Sequence, residues 1–535
     1  MRMKRLFALA TAALMALSLT GCAGGTTSES SSSAGGSSSE NSTAPAGDST
    51  SSDSTSSDSG DSQIIIGRAY DVAGMDPGFL TENAQVVDNI YDRLVMRDED
   101  MNLVPCLATE WSQVNDTTWE FKLREGVKFH NGEDFNADAV KYSIDRVLDP
   151  DANAPTYSYI KTVESIEVVD EYTVYVHTTT ADPLIPSRFC RYPTEIVPPK
   201  YTEEVGQQGL SENPVGTGPY KFVSWSKDEQ VVLEANEDYW GGAPEVKKVI
   251  FRSIPETSTR ISALITGEID IAVGVTPDEI ERVESSDGVH LSTVEAGGNT
   301  VYIGLKCDEA PFSNKLVRQA MNYAIDVDAI VTNILGGCAK VTDNLIGEKD
   351  FGYSKALDGY EYNPEKAKEL LAEAGYADGF SCTVDSVNWY LKCDDVAQAV
   401  AAYLGQVGIT VTVNPVESSV YRTSVPSGEQ SPMYFLGWSS TNTLDADAAI
   451  YSVLHSSDSY STYNNPEVDA MLDEARSCMD ETRRAELYAQ IEEIVLEDAP
   501  RIFLYKENKY YGVSDRVTWE GRVDDAIPVA TMSLS

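Results

Sequence analysis

Two neighbouring segments, Trp119-Glu-Phe-Lys-Leu-Arg-Glu-Gly-Val-Lys-Phe-His-Asn-Gly132 and Phe135-Asn-Ala-Asp-Ala-Val140, contain a strand, a turn and a helix start in direct succession. Apolar and polar residues alternate over 119–123, which predicts a strand with one buried face. Asn131-Gly132 predicts a turn. Asn136 is placed to cap a helix. The apolar residues that follow recur at helical spacing, at Val140, Ile144, Val147 and Leu148.

Further along the chain, helices with their own start signals are interleaved with β-branched and aromatic runs. Asn363-Pro364, Asn465-Pro466 and Asp480 each precede an amphipathic stretch and predict a helix start. Strands are predicted at residues 64–66, 409–413, 433–436 and 502–505. This mixture indicates an α/β fold.

The composition and net charge of the chain limit the classes of function that it can have. The chain has 535 residues, of which 42% are hydrophobic and 23% charged, so it can bury a large core. Its formal net charge is −45. A surface this acidic repels phosphate backbones, and we therefore expect no nucleic-acid binding.

The amino terminus has the layout of an export signal. Basic residues in 1–5 precede an apolar run over 6–19, and the segment ends in Leu19-Thr-Gly-Cys22. This ending resembles the bacterial lipobox, which implies cleavage after residue 21 and lipidation of Cys22. An ordinary signal with an incidental cysteine is the alternative. Residues 22–62, rich in Ser and Gly, predict a disordered tether with an end-to-end distance of roughly 35 Å.

No motif points to catalysis, a cofactor or a metal. The four histidines do not cluster in sequence, and neither a Gly-x-Ser-x-Gly elbow nor a phosphate-binding glycine loop occurs. Gly216-Thr-Gly218 lacks the third glycine of a dinucleotide site. Asp445-Ala-Asp447 and Asp326-Val-Asp328 lack the later residues of a calcium loop. We expect no catalytic residue, no cofactor and no metal ligand. The seven cysteines after Cys22 cannot all pair within one chain, a disulfide or two could form in an exported protein, and the sequence does not indicate which cysteines would pair.

A series of motifs resembles the extracytoplasmic solute-binding proteins of family 5, the peptide and nickel group that serves ABC importers. The motifs occur in family order and cover nearly all of residues 63–520. They are Leu107-Ala-Thr-Glu-Trp111, the two segments quoted above, Gly216-Thr-Gly-Pro-Tyr220, Asn236-Glu-Asp-Tyr-Trp240, Leu264 to Asp270, Pro311 to Asp326, Asn363 to Gly375, Gly437-Trp438 and Arg483 to Pro500.

The resemblance implies a two-lobed fold like that of the periplasmic binding proteins, type II, large cluster, with an extra subdomain and a hinge cleft between the lobes. By analogy, lobe I is expected at 63–105, 213–300 and 499–535, its accessory subdomain at 106–212, and lobe II at 301–498. Gly297-Gly-Asn299 and Ala499-Pro500 are chain-breaking stretches suited to two hinge crossings.

The resemblance also indicates ligand-binding residues. Family dipeptide and oligopeptide binders hold the ligand ammonium with an aspartate about three residues after the tryptophan, where this chain has Thr441. Asp445 or Asp447 could replace it, and helix capping by Asp447 is the alternative. Trp438 either stacks on the ligand or fills core behind the loop. The remaining candidates are Arg422, which could equally be a solvated surface residue, Arg68 with Tyr70, and the aromatic pair Tyr157 and Tyr159.

Together these features predict a lipid-anchored receptor that binds short peptides, such as dipeptides, oligopeptides or glutathione-like peptides, and delivers them to ABC permease subunits. We expect a monomer on the extracytoplasmic face of the bacterial membrane, held there by its lipid alone. A receptor for an oligosaccharide, a nickel chelate or haem is the first alternative, since one scaffold can carry several functions. An exported hydrolase using paired acids is the second.

Overall fold

The computed structural model describes residues 62–80, 84–355, 359–441 and 443–535. The predicted signal, the lipidation site Cys22 and nearly all of the predicted tether lie outside these residues. Within them, no helix combines the length and the apolar character needed to cross a bilayer.

A seven-stranded mixed sheet draws its strands from three separated parts of the chain. Its central strand, Gln63–Arg68, pairs in parallel with Lys248–Ser253 on one side and with Ile271–Val273 on the other. The alternating burial of this strand comes from its β-branched residues, with Ile64 and Ile66 fully buried. The spatial order is Val289–Val294, Lys509–Ser514, Ile271–Val273, Gln63–Arg68, Lys248–Ser253, Gln230–Ala235 and Tyr220–Ser226.

A second, six-stranded sheet is formed between residues 300 and 507. Its core is separate from that of the first sheet and includes the buried strand Thr300–Leu305. The spatial order is Ala339–Val341, Arg501–Glu507, Thr300–Leu305, Met433–Trp438, Phe380–Ser386 and Ile409–Pro415.

The chain crosses between the two large sheets at two places that lie side by side. The first crossing, at residues 295–299, contains the predicted Gly297-Gly-Asn299 stretch. The second was expected at Ala499-Pro500, and this expectation is wrong: Arg501–Glu507 pairs with Thr300–Leu305 in the second sheet, so the chain crosses only at Asn508. Two main-chain bonds, Gly298 N–H to Glu507 O at 2.8 Å and Glu507 N–H to Asn299 O at 3.0 Å, join the two crossings.

A four-stranded antiparallel sheet contains the predicted strand Thr118–Leu123 and packs against the helix Ala137–Leu148. Its order is Ala108–Asn115, Thr118–Leu123, Thr173–Thr178 and Val163–Asp170. Two short pairs complete the strands, Val95–Arg97 with Leu103–Pro105 and Val517–Thr518 with Ser533–Leu534.

The predicted helix starts are confirmed, because each capping side chain accepts a hydrogen bond from the first turn. Asn136, Asn363, Asn465 and Asp480 all do so. The helices are Ala137–Leu148, Tyr157–Ile160, Ile185–Arg188, Pro199–Glu212, Thr257–Ile265, Pro277–Glu284, Lys315–Tyr323, Val327–Asn333, Pro364–Glu373, Cys393–Gln406, Ser418–Ser427, Ala446–Leu454, Pro466–Ser477 and Glu481–Asp498, with 3-10 turns at Pro77–Phe79, Val87–Asn89 and Val529–Thr531.

The Gly216-Thr-Gly218 stretch has a structural explanation. A Cβ at Gly216 would lie 2.1 Å from the carbonyl oxygen of Ile90, so the close approach of two backbones requires glycine there. His130 packs against the same stretch, with its Nε2 2.9 Å from Gly218 O. Burial lowers the pKa of His130 to about 4, so this histidine is neutral near pH 7 and acts in packing.

A buried glutamate makes stability depend on pH. Glu492 is 5% exposed and accepts a hydrogen bond from Asn344 Nδ2 at 2.9 Å. Burial raises the pKa of Glu492 to about 9. Since the folded-state pKa exceeds the unfolded one, this group's contribution to stability is complete below the unfolded pKa and is lost as pH rises through the folded one.

We therefore expect Glu492→Gln to flatten the pH profile of unfolding. From pH 5 to pH 8, wild type should lose about 2–4 kcal/mol more than the variant, since each pH unit corresponds to about 1.4 kcal/mol. Urea unfolding of both chains at each pH measures this. If the free energy of unfolding changes equally with pH in both chains, Glu492 does not cause the pH dependence of stability.

Candidate functional site

A cavity of about 640 Å³ lies between the two large sheets, next to the two crossings. This volume is in the range of small-molecule binding sites. Its walls come from both sheets and from the crossings themselves. The lining residues include Tyr70 near the first sheet, Trp389, Leu391 and Thr441 near the second, and Asn299, Glu507, Asn508 and Lys509 at the crossings.

Two aromatic side chains on opposite walls are unusually exposed. Tyr70 is 52% exposed and Trp389 is 38% exposed. The Arg68 guanidinium carbon lies 5.3 Å from the centre of the Tyr70 ring, and that of Arg422 lies 5.3 Å from the centre of the Trp389 ring. Cation–π contact of this kind orients a ring. Each wall therefore presents an aromatic face held by an arginine.

Of the charged groups on the cavity wall, Lys509 has an ion-pair partner and Glu507 has none among the described residues. Lys509 Nζ lies 2.6 Å from Asp525 Oδ1, so these two residues form an ion pair. Glu507 has no basic nitrogen within 4.0 Å among the described residues, and its Oε1 accepts a hydrogen bond from the Leu391 N–H at 2.9 Å. Burial raises the pKa of Glu507 by more than its hydrogen bonds from Leu391 and Asn299 and the more distant charge of Lys509 lower it. A cationic group in the cavity would supply a counter-charge.

Thr441 lies on the cavity wall, in the loop that follows the strand Met433–Trp438. Two arginines from outside the second sheet hold this loop by its carbonyl oxygens. Arg97 Nη2 donates to Thr443 O at 2.5 Å. Arg191 Nη1 donates to Thr441 O at 3.2 Å and to Asp524 O at 2.5 Å. These hydrogen bonds therefore join the loop to parts of the chain outside the second sheet.

Both aspartates considered for a ligand ammonium are already paired. Asp445 is 3% exposed, and both of its oxygens lie within 3.0 Å of Arg484 Nη2. Asp447 accepts from Arg476 Nε at 2.8 Å. The helix Ala446–Leu454 is capped, as the alternative predicted, but the cap is Asp445 and not Asp447. In this arrangement neither carboxylate faces the cavity as a free group.

Trp438, Tyr157 and Tyr159 are not part of the cavity wall. The indole Nε1 of Trp438 donates to Ala448 O at 2.8 Å, and its ring lies 5.2 Å from that of Tyr460, so it fills space behind the loop. Tyr157 is exposed on a short helix, and Tyr159 packs edge-on against Tyr192 with ring centres 5.4 Å apart. Of the sequence candidates, Tyr70 and Thr441 line the same cavity, and the buried Arg68 lies next to Tyr70. Arg422 is an exposed surface residue, as the alternative predicted, and it contacts the Trp389 ring.

Sequence reasoning missed Trp389, Glu507 and Lys509. A signal for two of them exists, since Lys506-Glu-Asn-Lys509 is a charged run between two apolar strand stretches. Trp389 follows the strand Phe380–Ser386 in a short loop, Val387 to Lys392, whose mixed residues carry no distinguishing pattern.

Among the described residues, no group of three or more His, Cys, Asp or Glu side chains could hold a metal ion. The seven described cysteines, from Cys106 to Cys478, are free thiols.

Two large sheets joined by adjacent crossings, with a ligand-sized cavity between them, define a two-lobed solute-binding protein. The model for bacterial extracellular solute-binding proteins, family 5 (middle), matches residues 102–461, and the chain belongs to this family. Its members are substrate-binding proteins of ABC importers and not enzymes, and they face the periplasm or the cell surface.

Relatives and solved structures agree with this assignment. The chain is 30% identical over 473 residues to the glutathione-binding protein GsiB of Pectobacterium atrosepticum, covering 86% of this chain and 91% of the relative. It is also 30% identical to haem-binding protein A of Haemophilus influenzae, covering 83% and 87%. The structure of the Helicobacter pylori periplasmic binding protein DppA with the peptide STSA has a TM-score of 0.72 and 29% identity, covering 88% of this chain and 98% of that one.

Proposed function

We propose that the chain is a lipoprotein that captures short peptides, of dipeptide, oligopeptide or glutathione-like type, and delivers them to ABC permease subunits. The observation that carries this proposal is the cavity of about 640 Å³ whose wall is shared by both sheets and both crossings. The chain is similar to a glutathione-binding protein and to a protein solved with a bound peptide, which supports a peptide as cargo.

Closure around the ligand is the physical step of this function. A ligand that contacts both sheets stabilises the arrangement in which they approach, and only that difference in affinity can shift the population. The permease would then recognise the closed form. Micromolar affinity corresponds to about −8 kcal/mol, which a short peptide reaches only if its charged ends are paired.

In this proposal Glu507 holds the peptide ammonium in place of the absent family aspartate. Its carboxylate lies on the cavity wall and has no basic partner among the described residues. Tyr70 and Trp389 contact peptide side chains from opposite walls, and Thr441 offers a hydroxyl from the second sheet's loop. Arg68 and Arg422 act indirectly by holding the two rings.

The membrane anchor in the proposal rests on the sequence alone. Cys22 carries the lipid, residues 23–62 form the tether, and the protein acts as a monomer on the extracytoplasmic face of the membrane. Radiolabelled palmitate incorporation that is lost in Cys22→Ala tests the lipid. Incorporation that persists in the variant contradicts it.

A thermal-shift and calorimetric screen tests the function. The probes are di- and tripeptides, glutathione, a maltooligosaccharide, nickel–histidine and haem. At 100 times its dissociation constant, a cargo peptide should stabilise the protein by about 2.7 kcal/mol and be recovered chemically unchanged. Absence of stabilisation by any peptide or by glutathione contradicts the proposal, and hydrolysis of the probe supports an enzyme instead.

Haem is the second candidate, favoured by the similarity to haem-binding protein A. The exposed rings of Tyr70 and Trp389 are suited to contact a flat ligand. Saturable Soret changes with haem, combined with no response to peptides, would select this alternative.

The arginine contacts to the second sheet's loop give a further prediction. Replacing both Arg97 and Arg191 with alanine should weaken peptide binding about tenfold or more, because hydrogen bonds from charged donors contribute about 1.5–3 kcal/mol each. In the structure these bonds join the loop to residues outside the second sheet, so in this proposal they are contacts of the closed arrangement. Calorimetry measures the change, and Arg483→Ala, which removes a surface pair with Glu474, is the control. Equal affinity in the double variant and the control would contradict a role in closure.

A further inference from the structure

A second, smaller cavity of about 190 Å³ lies beside the second sheet and shares no lining residue with the first. Lys506 contributes to its wall from the strand Arg501–Glu507. Since neighbouring residues in a strand point to opposite faces, Lys506 and Glu507 serve different cavities. The residues that matter here are Lys340, Lys355 and Lys506, with Asp343, Gly347 and Glu348.

The Lys506 side chain is nearly buried as a whole, but its ammonium lines the cavity. The residue is 9% exposed, and among the described residues no oxygen lies within hydrogen-bond or ion-pair distance of its Nζ. Gly347 makes room for this group, because a Cβ there would lie 2.2 Å from Lys506 Nζ. Burial lowers the pKa of Lys506, while the carboxylates of Asp350 and Glu348 favour its charged form from beyond ion-pair distance.

The nearby acids are engaged elsewhere or uncharged. Asp350 accepts from the Gly347 N–H at 2.8 Å and from the Ser440 hydroxyl at 2.5 Å. Glu348 pairs with Lys340 at 2.6 Å. Burial raises the pKa of Asp343 and raises that of Glu492 to about 9, so Glu492 is neutral near pH 7. Lys355 adds a second cation to the wall. Acids therefore lie near the cavity, but none of those described makes a direct hydrogen bond or ion pair with Lys506 Nζ, and its acceptor position is unfilled.

We propose that this cavity binds a small oxyanion, a phosphate or a carboxylate, with Lys506 as its central cationic contact and Lys355 beside it. The bound anion takes the place of the missing acceptor at Lys506 Nζ. The site is separate from the cleft that holds the cargo, and its existence does not depend on what that cargo is.

Inorganic phosphate and acetate serve as probes, each added to the full chain in detergent against sodium chloride at equal ionic strength. We expect saturable thermal stabilisation by at least one of them, with the phosphate and acetate arms distinguishing the two anion classes. In Lys506→Gln the half-saturating concentration should rise at least tenfold. In Lys355→Gln it should rise about threefold. Lys315→Gln, which alters a surface pair with Glu497, should match wild type.

Lys506→Met provides an independent readout. In chloride alone it should be at least as stable as wild type, because it removes a buried charge that lacks a partner. Anions also stabilise proteins non-specifically, but that effect would persist in the variants. The proposal is overturned if neither anion exceeds chloride in wild type, or if Lys506→Gln keeps the wild-type response. If both Lys506 variants fail to fold, anion titrations of wild type and of Lys355→Gln test the proposed site instead. Equal half-saturating concentrations in these two chains would then overturn the proposal.

Discussion

Arg484→Ala should destabilise the folded chain by about 3–5 kcal/mol, the range measured when one partner of a buried ion pair is removed. Arg484 is 3% exposed and contacts both oxygens of Asp445. It also donates from Nε to Ala475 O at 3.1 Å and lies 4.6 Å from the centre of the Phe351 ring. The variant would leave the Asp445 carboxylate buried and unpaired, at the cap of the helix Ala446–Leu454.

Urea unfolding measures this loss, with Arg476→Ala as the matched control. Arg476 pairs with the neighbouring Asp447, which is buried, but the Arg476 side chain is 31% exposed and water can reach the pair, so its loss should be smaller, about 1–2 kcal/mol. The double variant Asp445→Asn with Arg484→Met should recover most of the stability, because no buried charge remains. A loss for Arg484→Ala no larger than for Arg476→Ala would contradict the structural role of the Asp445 pair and would reopen its assignment to the ligand.

Glu507→Gln should weaken binding of a peptide with a free amino terminus by about 2–5 kcal/mol, because a desolvated ammonium would lose its counter-charge. The glutamine oxygen can still accept from the Leu391 N–H, so the local backbone is expected to persist. Calorimetry with the same peptide, with and without N-acetylation, measures how much the peptide's ammonium charge contributes to the binding free energy. The acetylated peptide should bind wild type and variant alike.

Asp525→Asn is the control within the same cavity. Asp525 already has Lys509 as a partner at 2.6 Å, so its replacement should cost less affinity than that of Glu507. Two failures remain distinct. If free and acetylated peptides bind equally to wild type, the ammonium role of Glu507 is wrong while the receptor role stands. If no peptide binds at all, the receptor role for peptides is wrong.

The sequence predicts those parts of the fold that depend on local signals. Capping by Asn136, Asn363, Asn465 and Asp480 involves only residues within one turn, so the printed chain identifies these helix starts. The run Ile502-Phe-Leu-Tyr505 likewise predicts a strand. It cannot indicate which sheet the strand joins, since that depends on pairing with Thr300–Leu305 about 200 residues earlier in the chain.

The residues of the candidate site also divide into those that sequence motifs indicate and those that depend on long-range contacts. Tyr70 and Thr441 were found through family resemblance, and both lie on the cavity wall. Asp445 looked free in the sequence because its partner, Arg484, is on another helix. Glu507 was missed because the crossing was placed eight residues too early, which put the whole of 499–535 in one lobe. Long-range charge pairing therefore decided which acids remain available for a ligand.

Small-angle scattering of residues 58–535 with and without a bound peptide tests whether the two lobes close on their ligand, and mass spectrometry of the recovered peptide tests whether the ligand is altered. We expect a smaller radius of gyration when peptide is saturating, reversal of this change on dilution, and a peptide of unaltered mass. Superimposable profiles under conditions where calorimetry reports full occupancy, or a cleaved peptide, would contradict capture by closure of two lobes.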